Sequence, residues 1–315
     1  MDYTHVTVFG GSGFLGRHIA RQLAAQGTRV RVAVRHPGEN ALPEPIGDGS
    51  ITPIYADVRD ETSVSQALKS AEAAVNAVGL YVERRDATFD AVHVQGALHV
   101  ARQASRAGIA QLAHISGIGA DPNSESRYVR ARAKGESLVQ EAFEGATILR
   151  PSVLFGPGDA FFNTLATLAR FSPLLPLFGS GATLLQPVFV KDVADAVVKV
   201  LAEPTARGKV YELGGPRVYS YKELIELLLN CLGRKRILIP VPYFLWELQA
   251  ALLSVLPNPP LTYDQIVLIK RDNVVTNGSL TLADLGIDPT AVETLLPTYL
   301  GQTWPPRTGQ NARKC

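Results

Sequence analysis

Cysteine, methionine and tryptophan are scarce in this chain of 315 residues, which contains two, one and two of them. The cysteines are Cys231, in an apolar segment, and Cys315, the last residue. Two such positions provide no disulfide framework and indicate a reducing compartment. An excess of charge of one sign is also missing, because the formal net charge is only +2. We therefore expect no nucleic-acid partner.

Long apolar runs are absent as well. No run reaches the roughly 20 residues needed to span a bilayer, and the first predicted strand starts too early to leave room for a signal or transit peptide. We expect a cytoplasmic chain, either soluble or peripheral at the inner face of a membrane. His93 and His99 are six positions apart and do not share a helix face. We expect no metal site.

The first 25 residues contain the strongest pattern in the chain. Residues 6–9 are typical of a short buried strand, and Leu15, Ile19 and Leu23 then recur every fourth residue, as on one face of a helix. A glycine triplet joins the two elements: Gly10, Gly13 and Gly16. The order strand, glycine triplet, helix predicts a dinucleotide-binding turn.

Each glycine of the triplet has a separate role in such a turn. The first allows the tight turn out of the strand, the second lets a pyrophosphate approach the backbone, and the third lets the helix pack closely on the sheet. The start of the helix stabilises a diphosphate through its free N–H groups and its dipole. The predicted binding set also includes the residues between and beside the glycines: Ser12, Phe14 and Leu15. The alternative is a glycine-rich turn that binds nothing.

Residues 28–34 predict the second strand, and the side chains near its end indicate which cofactor binds. A free ribose hydroxyl usually meets an acidic residue there, whereas a 2′-phosphate meets an arginine. No Asp or Glu lies between Gly27 and Gly38, and Arg35 follows the strand. Arg35 and Arg17 could hold the phosphate between them. We predict NADP(H) rather than NAD(H); the alternative is two solvated surface arginines.

Two further strand ends contribute predicted cofactor contacts. After the third strand, Asp57 could accept a hydrogen bond from the adenine amino group while Val58 packs on the ring. A helix cap is the alternative role of Asp57. At the end of the fourth strand the small side chains of Ala77, Val78 and Gly79 leave room for the sugar and the phosphates.

Strands and helices alternate up to residue 150, and a helix is predicted over 88–107. This pattern predicts an α/β fold with a doubly wound parallel sheet. We predict an NADP(H)-binding Rossmann domain over 1–150 and a smaller, mostly helical domain over 151–300, with some segments returning to the Rossmann core. Residues 301–315 predict a flexible tail.

Within the smaller domain, glycine and proline predict loops over 151–158 and 172–181. A strand is predicted over 186–190. Asp192 is predicted to cap the helix that follows.

Several of these motifs occur together in one known family. The glycine triplet, Asp57-Val58, Asn76-Ala77-x-Gly79, Ser116 and the helical Tyr128 together resemble the extended and atypical short-chain dehydrogenase/reductases. Four further segments lie at 149–163, 186–194, 211–216 and 256–262. With them, nearly the whole chain resembles the nucleotide-binding accessory subunits of mitochondrial respiratory complex I and their bacterial relatives.

The resemblance implies an atypical member that holds NADPH as a structural nucleotide, with respiratory-complex subunits as partners. It also implies that backbone groups of Pro151 and Val153 lie near the nicotinamide carboxamide. The runner-up hypothesis is an active NADP-dependent reductase or epimerase that acts on a quinone precursor, an isoprenoid-like molecule or a nucleotide sugar.

The catalytic pattern of these reductases is incomplete in this chain. An active member uses Tyr-x-x-x-Lys on one helix face, where the lysine lowers the tyrosine pKa and bonds the ribose, and a serine polarises the substrate carbonyl. Ser116 and Tyr128 are present, but the fourth residue after the tyrosine is Arg132. Lys134, two residues further on, lies about 120° around the helix from Tyr128 and cannot take the place of the missing lysine. We expect weak or absent turnover; the alternative is that Arg132 depresses the tyrosine pKa and bonds ribose well enough for catalysis.

Residues 234–256 suggest a surface role. Three cations, Arg234, Lys235 and Arg236, precede an apolar helix that is predicted from residue 243 onwards. Such a segment could rest on an anionic membrane surface or in the groove of a partner. The alternative is a core helix of the smaller domain. A third functional hypothesis, a nucleotide-gated scaffold at the membrane surface, follows from the same segment.

Overall fold

The computed structural model describes residues 3–38, 42–45, 47–84, 86–254 and 261–300. The predicted tail, 301–315, and most of the 256–262 motif lie outside the described residues. In chain order the strands are β1 His5–Phe9, β2 Arg29–Val34, β3 Ser50–Tyr55, β4 Ala73–Asn76, β5 Gln111–Ile115, β6 Thr147–Pro151, β7 Leu154–Phe155, β8 Leu174–Phe178, β9 Leu184–Leu185, β10 Val188–Phe189, β11 Val210–Leu213, β12 Tyr219–Ser220 and β13 Ile237–Val241.

The α-helices are α1 Phe14–Ala25, α2 Glu61–Leu68, α3 Ala97–Arg106, α4 Arg127–Ala142, α5 Phe161–Phe171, α6 Val190–Ala202, α7 Tyr221–Cys231, α8 Tyr243–Leu253, α9 Tyr263–Lys270 and α10 Val292–Leu300. A π-helix, Asp90–Gly96, precedes α3, and 3₁₀ turns occupy Pro204–Ala206 and Ala283–Leu285.

The first of two compact units contains Met1–Pro151, Val190–Leu213 and Thr276–Asp288. In its described part, seven strands form one sheet in the order β11-β6-β5-β4-β1-β2-β3, and every pairing is parallel. Helix α1 packs against α6, and α3 packs against α2 and α4. The predicted doubly wound α/β fold is confirmed.

The central strands of this sheet are buried, and a crevice lies at their carboxyl ends. All four residues of β4 and all five of β5 are buried, as expected of parallel strands covered on both faces by helices. The strand order reverses between β1 and β4, so a crevice opens at their carboxyl ends. The glycine turn follows β1 directly and therefore lies at this crevice.

The predicted helix over 88–107 is not one regular helix, because its first part is the π-helix. Two glycines allow close packing there. A Cβ on Gly135 of α4 would lie 2.0 Å from the carbonyl oxygen of His93, and one on Gly96 would lie 2.8 Å from Cγ2 of Val58. The wider turn is thus fixed between α4 and the segment after β3.

The second unit comprises the described residues of Ser152–Phe189, Gly214–Val275 and Pro289–Cys315. It contains three two-stranded pairs, β7 with β10, β9 with β12 and β8 with β13. Two apolar clusters form its core, which is built largely from α5, α7 and α10.

Several local predictions in this part of the chain were wrong. The predicted loops over 151–158 and 172–181 contain β7 and β8, because each pairs with a distant strand that local composition does not reveal. The predicted strand over 186–190 is interrupted at Pro187, which has no N–H to donate. Helix α6 begins at Val190, so Asp192 lies in its first turn and does not cap it.

Candidate active site

The glycine turn is built by contacts that exclude larger side chains. Gly10 has φ +75°, and a Cβ there would lie 2.7 Å from the carbonyl oxygen of Ala77. A Cβ on Gly16 would lie 2.1 Å from the carbonyl oxygen of Gly10. Gly13 is the residue before α1, and no side chain among the described residues caps this helix start. The turn therefore offers backbone N–H groups and a positive dipole end to an anion.

Two arginines border this turn. Arg17 Nη2 donates to the carbonyl oxygen of Ser12 at 3.0 Å, and the Arg17 side chain is exposed. Arg35, after β2, is also exposed and lies close enough to Asp57 to contribute to the lowering of its pKa. Both guanidinium groups are accessible at the edge of the turn.

Asp57 does not cap a helix, because Asp60 takes this role by accepting the N–H of Thr62 at 3.0 Å. Instead, Asp57 forms an ion pair with Arg59, whose Nε and Nη2 donate to its two oxygens at 3.0 and 2.6 Å. These hydrogen bonds hold the pKa of the Asp57 carboxyl below its usual range. Sequence reasoning missed Arg59, although opposite charges two residues apart were a visible signal.

The remaining predicted contacts after β3 and β4 lie as follows. Val58 is buried in the core of the first unit. After β4, the N–H of Val78 donates to Asn76 Oδ1 at 3.2 Å. Ala77 and Val78 are half-buried and Gly79 is exposed. The small residues thus line the open side of the turn.

Tyr128 lies on the first turn of α4, whose start is capped by Ser126. Its side chain is only 7% exposed. Three aromatic rings surround it: the centroids of Tyr81, Phe89 and His93 lie 5.3, 5.5 and 5.3 Å from its own. Sequence reasoning missed this aromatic cluster, because its members come from separate segments.

Arg132 is the most unusual residue of the site. It is 8% exposed, and its Cζ lies 5.1 Å from the centroid of the Tyr128 ring. Its Nε and Nη1 have no hydrogen-bond partner among the described residues, and the same holds for Ser116 Oγ. Buried donors without a partner are rare in folded proteins, so these atoms indicate a ligand site.

The backbone around the Arg132 guanidinium is glycine on two sides. A Cβ on Gly117 would lie 3.3 Å from Nη1, and one on Gly79 would lie 3.9 Å from Nη2. Gly79 follows β4, and both Ser116 and Gly117 follow β5. The unpaired donors therefore meet at the carboxyl ends of two adjacent strands, which is where open parallel sheets bind ligands.

Burial sets the protonation states around Arg132. It raises the pKa of Tyr128 well above its usual value, because desolvation outweighs the opposing charge of Arg132. Arg132 does lower this pKa, as the alternative expected, but its effect is smaller than that of desolvation. Desolvation, with a smaller contribution from Arg132, lowers the pKa of both His93 and His114 to about 3. At neutral pH all three side chains are uncharged.

These states limit what the site can do chemically. A neutral Tyr128 can donate a hydrogen bond, but it is a poor base. Arg132 and Ser116 can hydrogen-bond hydroxyl or carbonyl oxygens of a ligand. Lys134 is exposed, as expected from its position around the helix, so its charge does not replace the missing lysine.

The last two predicted contacts are divided between the units. The carbonyl oxygen of Pro151, in the first unit, accepts the N–H of Ile118 at 3.2 Å. Val153 belongs to the second unit, where its carbonyl oxygen accepts the N–H of Val188 at 2.9 Å. Both carbonyl groups thus have backbone partners.

A sequence profile of the NAD dependent epimerase/dehydratase family matches residues 6–214, more than half of the chain. The chain belongs to this family. Ceramide reductase from Caulobacter vibrioides is 31% identical to this epimerase-family chain over 243 residues, covering 75% of this chain and 73% of that protein.

Relatives from mitochondria are more similar over a longer stretch. NADH dehydrogenase (ubiquinone) 1 alpha subcomplex subunit 9, mitochondrial, from Arabidopsis thaliana is 34% identical over 303 residues, covering 90% of this chain and 74% of that protein. The protein of the same name from Mus musculus is 32% identical, covering 91% and 77%. The predicted resemblance to complex I accessory subunits is confirmed.

Solved structures agree with the fold. The dTDP-glucose 4,6-dehydratase of Streptomyces venezuelae superposes with a TM-score of 0.70 at 20% identity, covering 96% of this chain and 99% of that one. The UDP-glucose 4-epimerase of Thermus thermophilus gives a TM-score of 0.68 at 18% identity, covering 94% and 98%. At these identities the likeness establishes the epimerase-family fold alone.

The family implies a nicotinamide dinucleotide, and the residues of this site fit one. The glycine turn suits a pyrophosphate, and the unpaired donors of Arg132 and Ser116 suit the oxygens of a sugar or a carboxamide. When bound, such a nucleotide supplies hydride chemistry.

No group of three or more His, Cys, Asp or Glu side chains among the described residues is arranged to hold a metal ion. None of the described helices combines the length and the apolar character needed to cross a membrane.

The buried histidines predict a pH dependence of stability. Their folded pKa lies below that of the unfolded chain, so the unfolded state gains protons first as the pH falls below about 6.5. We expect the free energy of unfolding to be largest above that pH and to fall by up to about 1.4 kcal/mol per pH unit for each histidine between about pH 6.5 and pH 3.

Urea denaturation at several pH values checks this expectation. His114→Gln is expected to lose about half of the slope, because one of two buried groups is removed. The matched control is His36→Gln, whose side chain is exposed. Parallel curves for the wild type and His114→Gln would contradict the assignment.

Proposed function

We propose that this protein holds NADP(H) and acts as an accessory or assembly protein of a quinone-linked respiratory complex, with little or no turnover. Relatives named as subunits of mitochondrial NADH dehydrogenase support the accessory role. The observation that carries the low turnover is the buried Tyr128–Arg132 pair. Its tyrosine stays protonated at neutral pH because desolvation outweighs the nearby guanidinium.

The absence of turnover is tested by purification under mild conditions. NADPH is expected to remain bound through gel filtration, and subunits of the respiratory complex are expected to co-purify. The bound NADPH should stay reduced when quinone precursors, isoprenoid-like carbonyl compounds or nucleotide sugars are added. Absorbance of the reduced nicotinamide follows this directly. Steady oxidation that Tyr128→Phe abolishes, beside an unaffected Lys134→Gln control, would overturn the proposal.

The second candidate function is an active NADP-dependent reductase. One observation favours it: the relative named ceramide reductase covers three quarters of this chain at 31% identity. Ser116 and Tyr128 also keep a serine and a tyrosine at the site. Under this hypothesis the substrate is a lipid-like carbonyl compound, and Arg132 replaces the usual lysine adequately.

The preference for NADP(H) rests on the surroundings of the glycine turn. The exposed guanidinium groups of Arg17 and Arg35 are available to a 2′-phosphate. The nearest carboxylate after the third strand, Asp57, is neutralised by its pairing with Arg59. We infer that the adenosine end of the site attracts a phosphate and does not depend on a free ribose hydroxyl.

Exchange of both arginines tests this preference. Arg17→Gln with Arg35→Gln should weaken NADPH binding by roughly tenfold or more while changing NADH binding little, because only NADPH has the phosphate. Arg21→Gln, an exposed arginine on the same helix α1, is the control. Calorimetric titration gives the four dissociation constants. Equal affinity of the wild type for NADH and NADPH would refute the assignment.

The segment 234–254 supports a place at the inner face of a membrane. In α8 only Ala250 is buried, so this helix is not the core helix that was the alternative. Phe244, Leu248 and Leu252 are spaced by four residues and are 63%, 55% and 67% exposed. They form an outward apolar stripe, and the exposed Lys235 precedes it.

The anchoring of α8 fixes which face it presents. The Trp246 ring packs against Phe178 at a tilt of 37° with centroids 4.4 Å apart, and its Nε1 donates to the carbonyl oxygen of Leu177 at 3.4 Å. The apolar stripe, on the side of α8 opposite Trp246, remains accessible. An exposed apolar stripe on a helix is a feature of proteins that bind a lipid surface, and the basic segment earlier in the chain would favour anionic lipids.

Vesicle sedimentation tests the membrane assignment. The wild type should sediment with anionic vesicles and much less with neutral ones. Phe244→Ser with Leu248→Ser should reduce binding roughly a hundredfold or more, because about 1.5–3 kcal/mol of apolar burial is lost for each side chain. Val218→Ser, another exposed apolar residue of the second unit, is the matched control. Unchanged sedimentation of the double variant would contradict the assignment.

A further inference from the structure

The charge of Arg132 has no matching negative charge in contact with it. Its neighbours Tyr128, His93 and His114 are all neutral at physiological pH. Glu136, one turn along α4, is the nearest carboxylate that acts on Arg132. That carboxylate is already bound by Arg150.

The pairing of Glu136 with Arg150 is specific. Arg150 Nη2 donates to Glu136 Oε2 at 2.6 Å, and Nε donates to Oε1 at 3.1 Å. The other end of Arg150 lies 3.5 Å from Glu212. Among the described residues, no carboxylate is within ion-pair distance of Arg132, and its Nε and Nη1 remain without a partner. The site therefore holds a buried positive charge in a water-poor environment.

The position of Arg132 determines which part of a dinucleotide meets this charge. In this fold a dinucleotide lies across the crevice, with the adenosine half on the side of β1, β2 and β3 and the nicotinamide half on the side of β4, β5 and β6. Arg132 and Ser116 adjoin the ends of β4 and β5. They therefore belong to the nicotinamide half.

The two oxidation states of a nicotinamide differ in charge at this point. The oxidised ring carries a positive charge, and the reduced ring is neutral. We propose that the guanidinium of Arg132, whose charge no contacting carboxylate neutralises, makes this site select the reduced nucleotide, so that the protein binds NADPH more tightly than NADP⁺. In a Tyr-x-x-x-Lys site the tyrosine can ionise and offset the cation, whereas Tyr128 is kept protonated here. This inference rests on the proposed function.

Such selectivity explains why a bound nucleotide is retained and not consumed. Release of a hydride from NADPH leaves the cationic ring beside Arg132. Two like charges several ångströms apart in a protein site change a dissociation constant by roughly tenfold to a hundredfold. The equilibrium constant for hydride transfer from the bound nucleotide falls by the same factor, because the tighter binding of the reduced form makes its oxidation less favourable.

The test is the ratio of the dissociation constants of NADP⁺ and NADPH, measured by calorimetry on the full chain. The wild type is expected to give a ratio of roughly ten or more. Arg132→Gln should lower the ratio by most of that factor, whereas Arg132→Lys should retain it because the charge remains. Lys134→Gln, the same change of charge at an exposed position of α4, should leave the ratio unchanged.

Salt provides a second readout. A preference set by a buried charge should persist at about 0.5 M salt, whereas one set by surface charges should shrink. Equal affinities of the wild type for both oxidation states, or an unchanged ratio in a folded Arg132→Gln, would overturn the inference. If Arg132→Gln does not fold, the wild-type ratio and its salt dependence decide.

Failure of the proposed function has a different signature. Steady turnover with a substrate would refute the low-turnover proposal, whatever the ratio is. Absence of any nucleotide binding would refute both. Ser116→Ala should weaken the binding of NADPH and of NADP⁺ equally, since the hydroxyl is uncharged. This variant therefore separates a general loss of contacts from the loss of charge.

Discussion

The buried guanidinium of Arg132 is the constraint on which the site depends. Removing an ion from water costs several kcal/mol unless partners compensate, and two of its nitrogen atoms have no partner among the described residues. The ring of Tyr128 offsets part of this cost by a cation–π contact. The rest is explained if a ligand supplies oxygen atoms. The glycines at positions 79 and 117 keep the space beside the guanidinium open for them.

The burial of this site also affects proton transfer. A reductase needs its tyrosine to change protonation state near neutral pH, and desolvation opposes that change in Tyr128. The first unit thus contains the glycine turn together with Ser116, Tyr128 and Arg132, the residues on which the proposed nucleotide binding rests. The second unit contributes an outward apolar helix, α8. The proposed role as an accessory protein that keeps its nucleotide and attaches to a surface depends on both features.

Sequence reasoning recovered what depends on local pattern. The glycine turn, the parallel sheet and the pairing of Tyr128 with Arg132 on one helix all follow from local patterns in the sequence. What it missed depends on distant partners. Strand β8 exists because β13 pairs with it, and the π-helix is stabilised by the close approach of Gly135. The raised pKa of Tyr128 results from burial by side chains of several separate segments, which local sequence patterns do not reveal.

A crystal structure of the protein with NADPH tests the central claim most directly. The account predicts that Arg132 Nε and Nη1 lie within about 3.2 Å of oxygen atoms of the nicotinamide half, with Ser116 Oγ also bonded. The pyrophosphate is expected at the start of α1. A nucleotide that leaves the guanidinium unbonded, or a lysine side chain that occupies this place beside Tyr128, would contradict it.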